Sequence, residues 1–166
     1  DIDPGVFDNG NDDATFCKII AIIRIAVPYT GMIISTRENQ AVREKALHLG
    51  ISQISGGSRT SVGGYTEDVR PTDTEQFDVS DQRSLDEVIE WLMELGFLPS
   101  FCTACYRAGR TGDRFMELCK SKQIQNCCHP NALLTLKEYL EDYASPATKA
   151  LGEKLVQAEL PNIPQE

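Results

Sequence analysis

No stretch of this chain approaches the roughly 20 consecutive apolar residues that a bilayer-spanning helix requires. The best candidate, Ile19 to Val27, is interrupted by Arg24 and stopped by Pro28, so a soluble protein is expected. A secretory leader is missing too: the opening Asp1-Ile-Asp-Pro-Gly-Val-Phe-Asp-Asn-Gly-Asn-Asp-Asp is acidic where a leader is basic. Positive charge is scarce. Sixteen Lys and Arg stand against 25 Asp and Glu, a net charge of −9, which repels phosphate backbones and anionic lipid and argues against nucleic acid or a membrane as partner. Internal repeats and low-complexity tracts are lacking as well. There is no initiating Met, and loop-like sequence leads directly into a buried-looking helix, as in a piece cut from a longer protein.

What the chain does contain is enough for one core: 166 residues, 41% of them hydrophobic, fall within the size range of a single domain. Six cysteines stand at 17, 102, 105, 119, 127 and 128. Without a secretory leader they read as metal ligands or buried thiols in a reducing, cytoplasmic compartment before they read as disulfides.

Phe16, Ile19, Ile20, Ile23 and Val27 recur at helical spacing behind Asp12 and Asp13, which predicts a core-facing helix ended by Pro28. Gly31 to Ser35 and Ile51 to Ser55 are short apolar runs that predict strands of a parallel sheet, the first buried on both faces. Between them, Ser35-Thr-Arg-Glu38 has the form of a capping box, followed by Val42, Ala46 and Leu49 on one helix face and by Gly50 as a stop. The glycine cluster from Gly56 to Gly64 reads as a tight turn after a strand rather than a phosphate cradle. Residues 66 to 80 are polar and aperiodic, a surface loop. Leu85, Val88, Ile89 and Leu92 mark an amphipathic helix running through Trp91 to Gly96, with Trp91 in the core. Leu98 to Phe101 is a short extended segment. Beyond Cys102 the pattern turns helical, with helices near 113–122, 131–143 and 146–159, a loop running to Pro130, and Ser145 capping the last helix ahead of Pro146. Alternating helices and strands build a doubly wound sheet or a (β/α)8 barrel. Two strands close neither, so the expected fold is α/β with an incomplete barrel.

Cys102-Thr-Ala-Cys105 is a C-x2-C pair, and Cys128 lies 22 residues past it. Two thiolates on one loop reach one metal centre, and a third permits a [4Fe–4S] cluster with one iron left open. Structural zinc is normally closed by four ligands, and would recruit His129, Cys127 or Cys119 as the fourth. A thioredoxin-like dithiol fits less well, because no complete βαβ unit places the pair at a helix start. Spacing alone leaves cluster and zinc open. Arg107, Arg110 and Arg114 surround the cysteine loop, to neutralise a cluster or to pair with Asp113 and Glu117. Cys17 and Cys119 fall within predicted helices as packed or idle thiols, and His48 is a surface helix residue.

Cys102-Thr-Ala-Cys-Tyr-Arg-Ala-Gly-Arg-Thr-Gly-Asp-Arg-Phe-Met116, Gln123-Ile-Gln-Asn126 and Cys128-His-Pro-Asn-Ala-Leu-Leu-Thr-Leu-Lys-Glu-Tyr-Leu-Glu-Asp-Tyr-Ala144 carry a specific resemblance. So do Ala26-Val-Pro-Tyr-Thr-Gly-Met32, Ser35 to Glu38 and Gln53 to Tyr65. Together they resemble the C-terminal region of the radical-SAM tyrosine lyases that mature [FeFe]-hydrogenase, over most of the chain apart from its opening and residues 66 to 80. The resemblance implies a radical-SAM (β/α)8 barrel followed by the domain shared with biotin and thiamine synthesis enzymes. Residues 1–100 would supply the last βα units and residues 101–166 a mainly helical, cluster-binding C-terminal domain.

In that family S-adenosyl-L-methionine and a barrel-top [4Fe–4S] cluster generate a radical that cleaves tyrosine to p-cresol, and an auxiliary [4Fe–4S] cluster with an additional iron turns the remaining fragment into CO and cyanide. The resemblance implies that Cys102, Cys105 and Cys128 hold the auxiliary cluster, and that other hydrogenase maturation proteins are partners. The C-x3-C-x2-C motif of the radical cluster is absent from these residues, so the chain alone is expected to be inactive. Arg37 and Ser55 follow the two strands, at the rim where barrels place their sites. Related lyases use an arginine there, which implies that Arg37, assisted by Ser55 or Ser58, binds the carboxylate of tyrosine. The competing reading pairs Arg37 with Glu38 and leaves Ser35 as a cap. Two rivals remain: the thiamine-pathway tyrosine lyase (2-iminoacetate synthase), which shares the barrel and the Gly-Gly-Tyr loop but lacks the three-cysteine set, and a zinc-binding interaction module.

Overall fold

A computed structural model describes residues 12–60, 64–65, 79–102 and 112–163. The fold is mainly helical with one small parallel sheet, and the chain divides into two compact units, residues 1–82 and 83–166. Among the described residues no helix is long and apolar enough to cross a membrane.

In the first unit, helix α1 spans Asp13–Ala26. The Asp12 side chain accepts from the Thr15 N–H at 2.6 Å, filling one of the donors that a helix start leaves open. Strands β1 (Ile33–Ile34) and β2 (Gln53–Ile54) pair in parallel across helix α2 (Gln40–His48), so the βαβ order expected from the sequence is present. Three details differ from expectation. Helix α1 buries Ile20 but leaves Ile22 and Ile25 64% and 82% exposed, so it is not core-facing over its length. Strand β1 is buried on one face only: Ile34 is inside and Ile33 lies outside. Helix α2 starts at Gln40, where Asn39 Oδ1 accepts from Val42 N at 3.0 Å. Ser35 is spent on a local turn, accepting from Arg37 N at 3.2 Å, and therefore does not cap the helix.

Two arginines bracket this unit. Arg24 donates from Nε to the Gly50 carbonyl at 3.0 Å and from Nη1 to the Pro28 and Thr30 carbonyls at 2.8 and 2.9 Å. It thereby ties the end of α1 to the end of α2. Gly50 has φ +100°, and a Cβ there would meet Arg24 Nε at 2.9 Å, so conformation and space both require glycine. Arg43, fully buried on α2, pairs with buried Asp81 and donates to the Ser55 carbonyl. Asp81 N in turn donates to the Thr36 carbonyl at 2.9 Å. The exits of both strands are thus fixed from below.

The second unit consists of α3 (Leu85–Glu94), α4 (Gly112–Lys120), α5 (Gln125–Asp142), α6 (Pro146–Glu159) and a closing 3-10 turn, Leu160–Asn162. Ile89 and Met93 from α3, Leu133, Leu136, Tyr139 and Leu140 from α5, and Val156 from α6 form its core. The expected helices at 85–96 and 146–159 are borne out, the latter with Ser145 as cap and Pro146 first. Trp91 is buried as expected, with the Arg83 guanidinium 4.2 Å from its ring centroid. The loop expected up to Pro130 is instead helical: α5 begins at Gln125 and passes through Pro130. Proline there removes the N–H that would reach the Asn126 carbonyl. Asn126 is exposed, so the helix can continue without leaving that carbonyl in a dry environment. Gly152 lets α6 approach α5, since a Cβ on it would stand 2.5 Å from Leu140 Cδ2.

Asp86 joins three helices. Its carboxylate accepts from Tyr139 OH at 2.9 Å, Thr148 Oγ1 at 2.8 Å and Ser145 N at 3.3 Å. Burial would raise its carboxyl, but the bonds from Ser145, Thr148 and Tyr139 outweigh burial and hold it below the ordinary value. Burial first, then Asp86, pushes the Tyr139 phenol well above its usual range.

Candidate functional site

The segment after α3 runs along one stripe of α5. The Phe101 ring stacks on Tyr139 with centroids 4.9 Å apart, Phe101 N donates to Thr135 Oγ1 at 3.4 Å, and Asn131 Nδ2 donates to Cys102 Sγ. Residues 139, 135 and 131 follow the four-residue step of one helix face. The next positions on that face, toward the helix start, are Cys127 and Cys128. Cys102 is therefore delivered to the turn of α5 that carries Cys128, and both are exposed. Cys105 lies outside the described residues, as do Arg107 and Arg110. Among the described residues no group of three metal-ligating side chains is gathered.

The donor set suits an iron–sulfur cluster. Thiolates are the ligands such clusters take, Cys102 Sγ already accepts a hydrogen bond as a metal-bound thiolate would, and Cys128 stands near the positive end of the α5 dipole, where a net negative cluster is favoured. Beside it, His129 Nε2 lies 3.1 Å from Glu159 Oε2. Cys17 and Cys119 are half-buried in α1 and α4, and Arg114 is exposed on α4.

The other candidate residues belong to the first unit. Arg37 is exposed three residues past β1, and Ser55 follows β2, its N–H donating to the Ile34 carbonyl at 3.1 Å. Ser58 is half-buried in the glycine loop. That loop is closed by Arg59, whose Nη1 donates to the Gly64 carbonyl at 2.8 Å and whose N–H reaches Tyr65 OH at 3.2 Å. Two residues at these sites escaped the sequence reading. Arg43, which fixes Ser55, had no local signal, because its partners are 12 and 38 residues away. Asn131 had one: it follows Cys128 by three residues, one helical turn.

The biotin and thiamin synthesis associated domain model matches residues 6–98, more than half of the chain, and the chain belongs to that family. Its likeness to solved structures is narrower in kind. A crystal structure of HydG, a maturase of the [FeFe]-hydrogenase, superposes with a TM-score of 0.89 at 53% identity, covering 99% of this chain and 35% of that one. The HydG maturase from Carboxydothermus hydrogenoformans gives 0.68 at 39% identity, covering 96% of this chain and 33% of that one. The 2-iminoacetate synthases of Salmonella typhimurium and Escherichia coli are 31% and 30% identical over 88 residues, 53% of this chain. The chain spans 23% of the length of those two relatives. The resemblance expected from the cysteine and glycine motifs is thus borne out.

Proposed function

We propose that this chain is the C-terminal part of a radical-SAM tyrosine lyase that matures [FeFe]-hydrogenase, and that its second unit holds that enzyme's auxiliary iron–sulfur cluster. The observation that carries this reading is the likeness to HydG over 99% of the chain at 53% identity. The 2-iminoacetate synthase matches extend over only 53% of it, which favours the hydrogenase maturases over the thiamine-pathway relatives. In this reading residues 1–100 correspond to the last βα units of a (β/α)8 barrel and residues 101–166 carry the cluster. Helix α3 closes the first part in chain order while packing within the second compact unit.

The roles follow from residue chemistry. Thiolates of Cys102, Cys105 and Cys128 would hold the [4Fe–4S] cluster, three ligands being one fewer than a closed site takes. When bound, the cluster would supply an iron site for the CO and cyanide chemistry of the whole enzyme. Arg37 presents a planar two-donor fork suited to the carboxylate of tyrosine, with Ser55 or Ser58 assisting through a hydroxyl. The buried Arg43–Asp81 pair keeps the Ser55 backbone in place for that task. S-adenosyl-L-methionine, the radical cluster and other maturation proteins belong to the whole enzyme. The C-x3-C-x2-C motif is absent from these residues, so this chain alone makes no p-cresol. A reducing, cytoplasmic setting suits exposed thiolates.

Anaerobic reconstitution with iron and sulfide tests the proposal. The wild-type chain should acquire a [4Fe–4S] cluster; Cys102→Ser, Cys105→Ser and Cys128→Ser should abolish it, while Cys127→Ser and Cys119→Ser should not. Stoichiometric zinc without sulfide would establish the zinc module instead. Loss of the cluster in Cys127→Ser but not Cys128→Ser would overturn the ligand assignment. p-Cresol formed from tyrosine by the chain alone would overturn the assignment of radical chemistry to the remainder of the enzyme.

A further inference from the structure

We infer that Asn131 is a positioning residue of the auxiliary site: its side-chain amide holds Cys102 Sγ as a ligand and, through that N–H···S bond, sets the electron affinity of the cluster. The inference rests on the cluster-binding role proposed above. Cys102 lies on an irregular run that follows α3, and a thiolate on such a run needs fixing before it can serve as a ligand. Phe101 supplies the anchor by stacking on Tyr139, and Thr135 takes the Phe101 N–H. Cys102 N turns back to Ser100 Oγ at 3.4 Å. The Cys102 sulfur in turn accepts from Asn131 Nδ2.

The residue type matters. A metal-bound thiolate is an acceptor only, so its neighbour has to be a donor. An amide donates without adding charge, whereas a carboxylate of the same shape repels the sulfur. Asn131 also stands one turn from Cys128, so a single helix turn presents one ligand and steers another. A hydrogen bond to a ligating sulfur withdraws electron density and favours the reduced, more negative cluster, because hydrogen bonds to the sulfurs are among the groups that set cluster potentials. Removing the donor therefore lowers the midpoint potential. It also loosens Cys102, and loss of such an outer partner weakens metal holding about 10- to 100-fold.

The experiment compares the wild-type chain, Asn131→Leu, Asn131→Asp and Asn131→Gln, each reconstituted anaerobically with ferrous iron and sulfide and titrated by EPR-monitored reduction and by chelator challenge. The expected result is a lower midpoint and faster iron loss in Asn131→Leu, a larger displacement in Asn131→Asp, and partial return in Asn131→Gln, which keeps the donor. Helix content should stay unchanged in all four. If Asn131→Leu does not fold, Asn131→Asp against Asn131→Gln gives the same comparison. Equal midpoints and equal iron-loss rates in donor and non-donor variants would overturn the role of Asn131 while leaving the cluster proposal standing. A wild-type chain that takes up no iron and sulfide overturns both.

Discussion

The two units of this molecule are held together in opposite ways. The second buries a contiguous apolar core around Leu136 and Leu140, both fully enclosed, and uses polar groups chiefly where helices meet, at Asp86. The first buries Ile20, Ile34, Val42, Ala46, Leu47 and Ile51, yet leaves Ile22, Ile25 and Ile33 open, and relies on Arg24 and Arg43 to tie its ends through backbone carbonyls. A core tolerates local loss by relaxing around it. A bracket built on one buried guanidinium does not, because removing it strands the partners in a dry environment. The candidate residues divide along the same line: Cys102 and Cys128 ride on the cored unit, Arg37 and Ser55 on the bracketed one.

The sharpest way to break that contrast is Arg43→Ala. Asp81, itself buried, would be left charged without its partner, which costs about 3 to 5 kcal/mol. Hydrogen exchange should accelerate across α2 and both strands while α5 and α6 keep their protection. Uniform acceleration in both units would show that the bracket is not local. Next in size is Gly152→Ala in the second unit. Leu140 is fully buried and cannot swing away from a Cβ that meets it at 2.5 Å, so overpacking of about 1 to 3 kcal/mol outweighs the gain of about 1 kcal/mol in helix propensity. The midpoint of thermal unfolding of the second unit should fall; a rise would mean that α6 shifts freely.

What the sequence made legible follows the range of the interactions. Helix α6 reads directly because Ser145, Pro146 and Thr148 are neighbours. The parallel pairing of β1 and β2 reads from two apolar runs separated by one helix. The same S-x-x-E signature occurs twice and is a cap once: at Ser84–Glu87 it forms a reciprocal capping box, whereas at Ser35–Glu38 the chain is still a turn and Asn39 starts the helix. Pro130 misled in the other direction, since a helix passes one proline when the freed carbonyl is solvated. At the candidate site, the cysteine types and spacing are local information, but the approach of Cys102 to α5 depends on contacts 29 and 34 residues long. Arg43–Asp81, at 38 residues, is longer still.

The capping contrast carries its own test. Ser84→Ala should destabilise the second unit by about 1 kcal/mol, because Glu87 N loses its acceptor. Ser35→Ala should leave α2 unchanged in hydrogen exchange, its first turn being capped by Asn39. Equal effects from the two substitutions would mean that Ser35 supports the helix after all.

The smallest effect concerns acid. The Asp86 carboxyl lies below its ordinary value of 3.8 because three donors outweigh burial, so its contribution is complete above about pH 4 and is lost as pH falls through the lower folded value. Exposed Glu141, held at about 2 by Lys137 and Lys149, titrates in the same window. Tyr139 sets the opposite edge: its phenol is raised above 10.0, so its contribution is complete below pH 10 and lost as pH climbs toward the folded value. The stability of the second unit should therefore be level between about pH 4 and 10 and decline on both sides, with an acid limb smaller than the loss of a cap because solvent screens these carboxylates. Glu141→Gln should remove part of the acid limb and, because Glu141 also raises Lys137, a small part of the alkaline one, whereas Asp86→Asn should reduce both limbs, leaving on the alkaline side the part that burial of Tyr139 sets, since Asp86 joins Ser145, Thr148 and Tyr139. Thermal unfolding across that range distinguishes them, and an Asp86→Asn profile that keeps both limbs undiminished would remove Asp86 as the junction of the three helices.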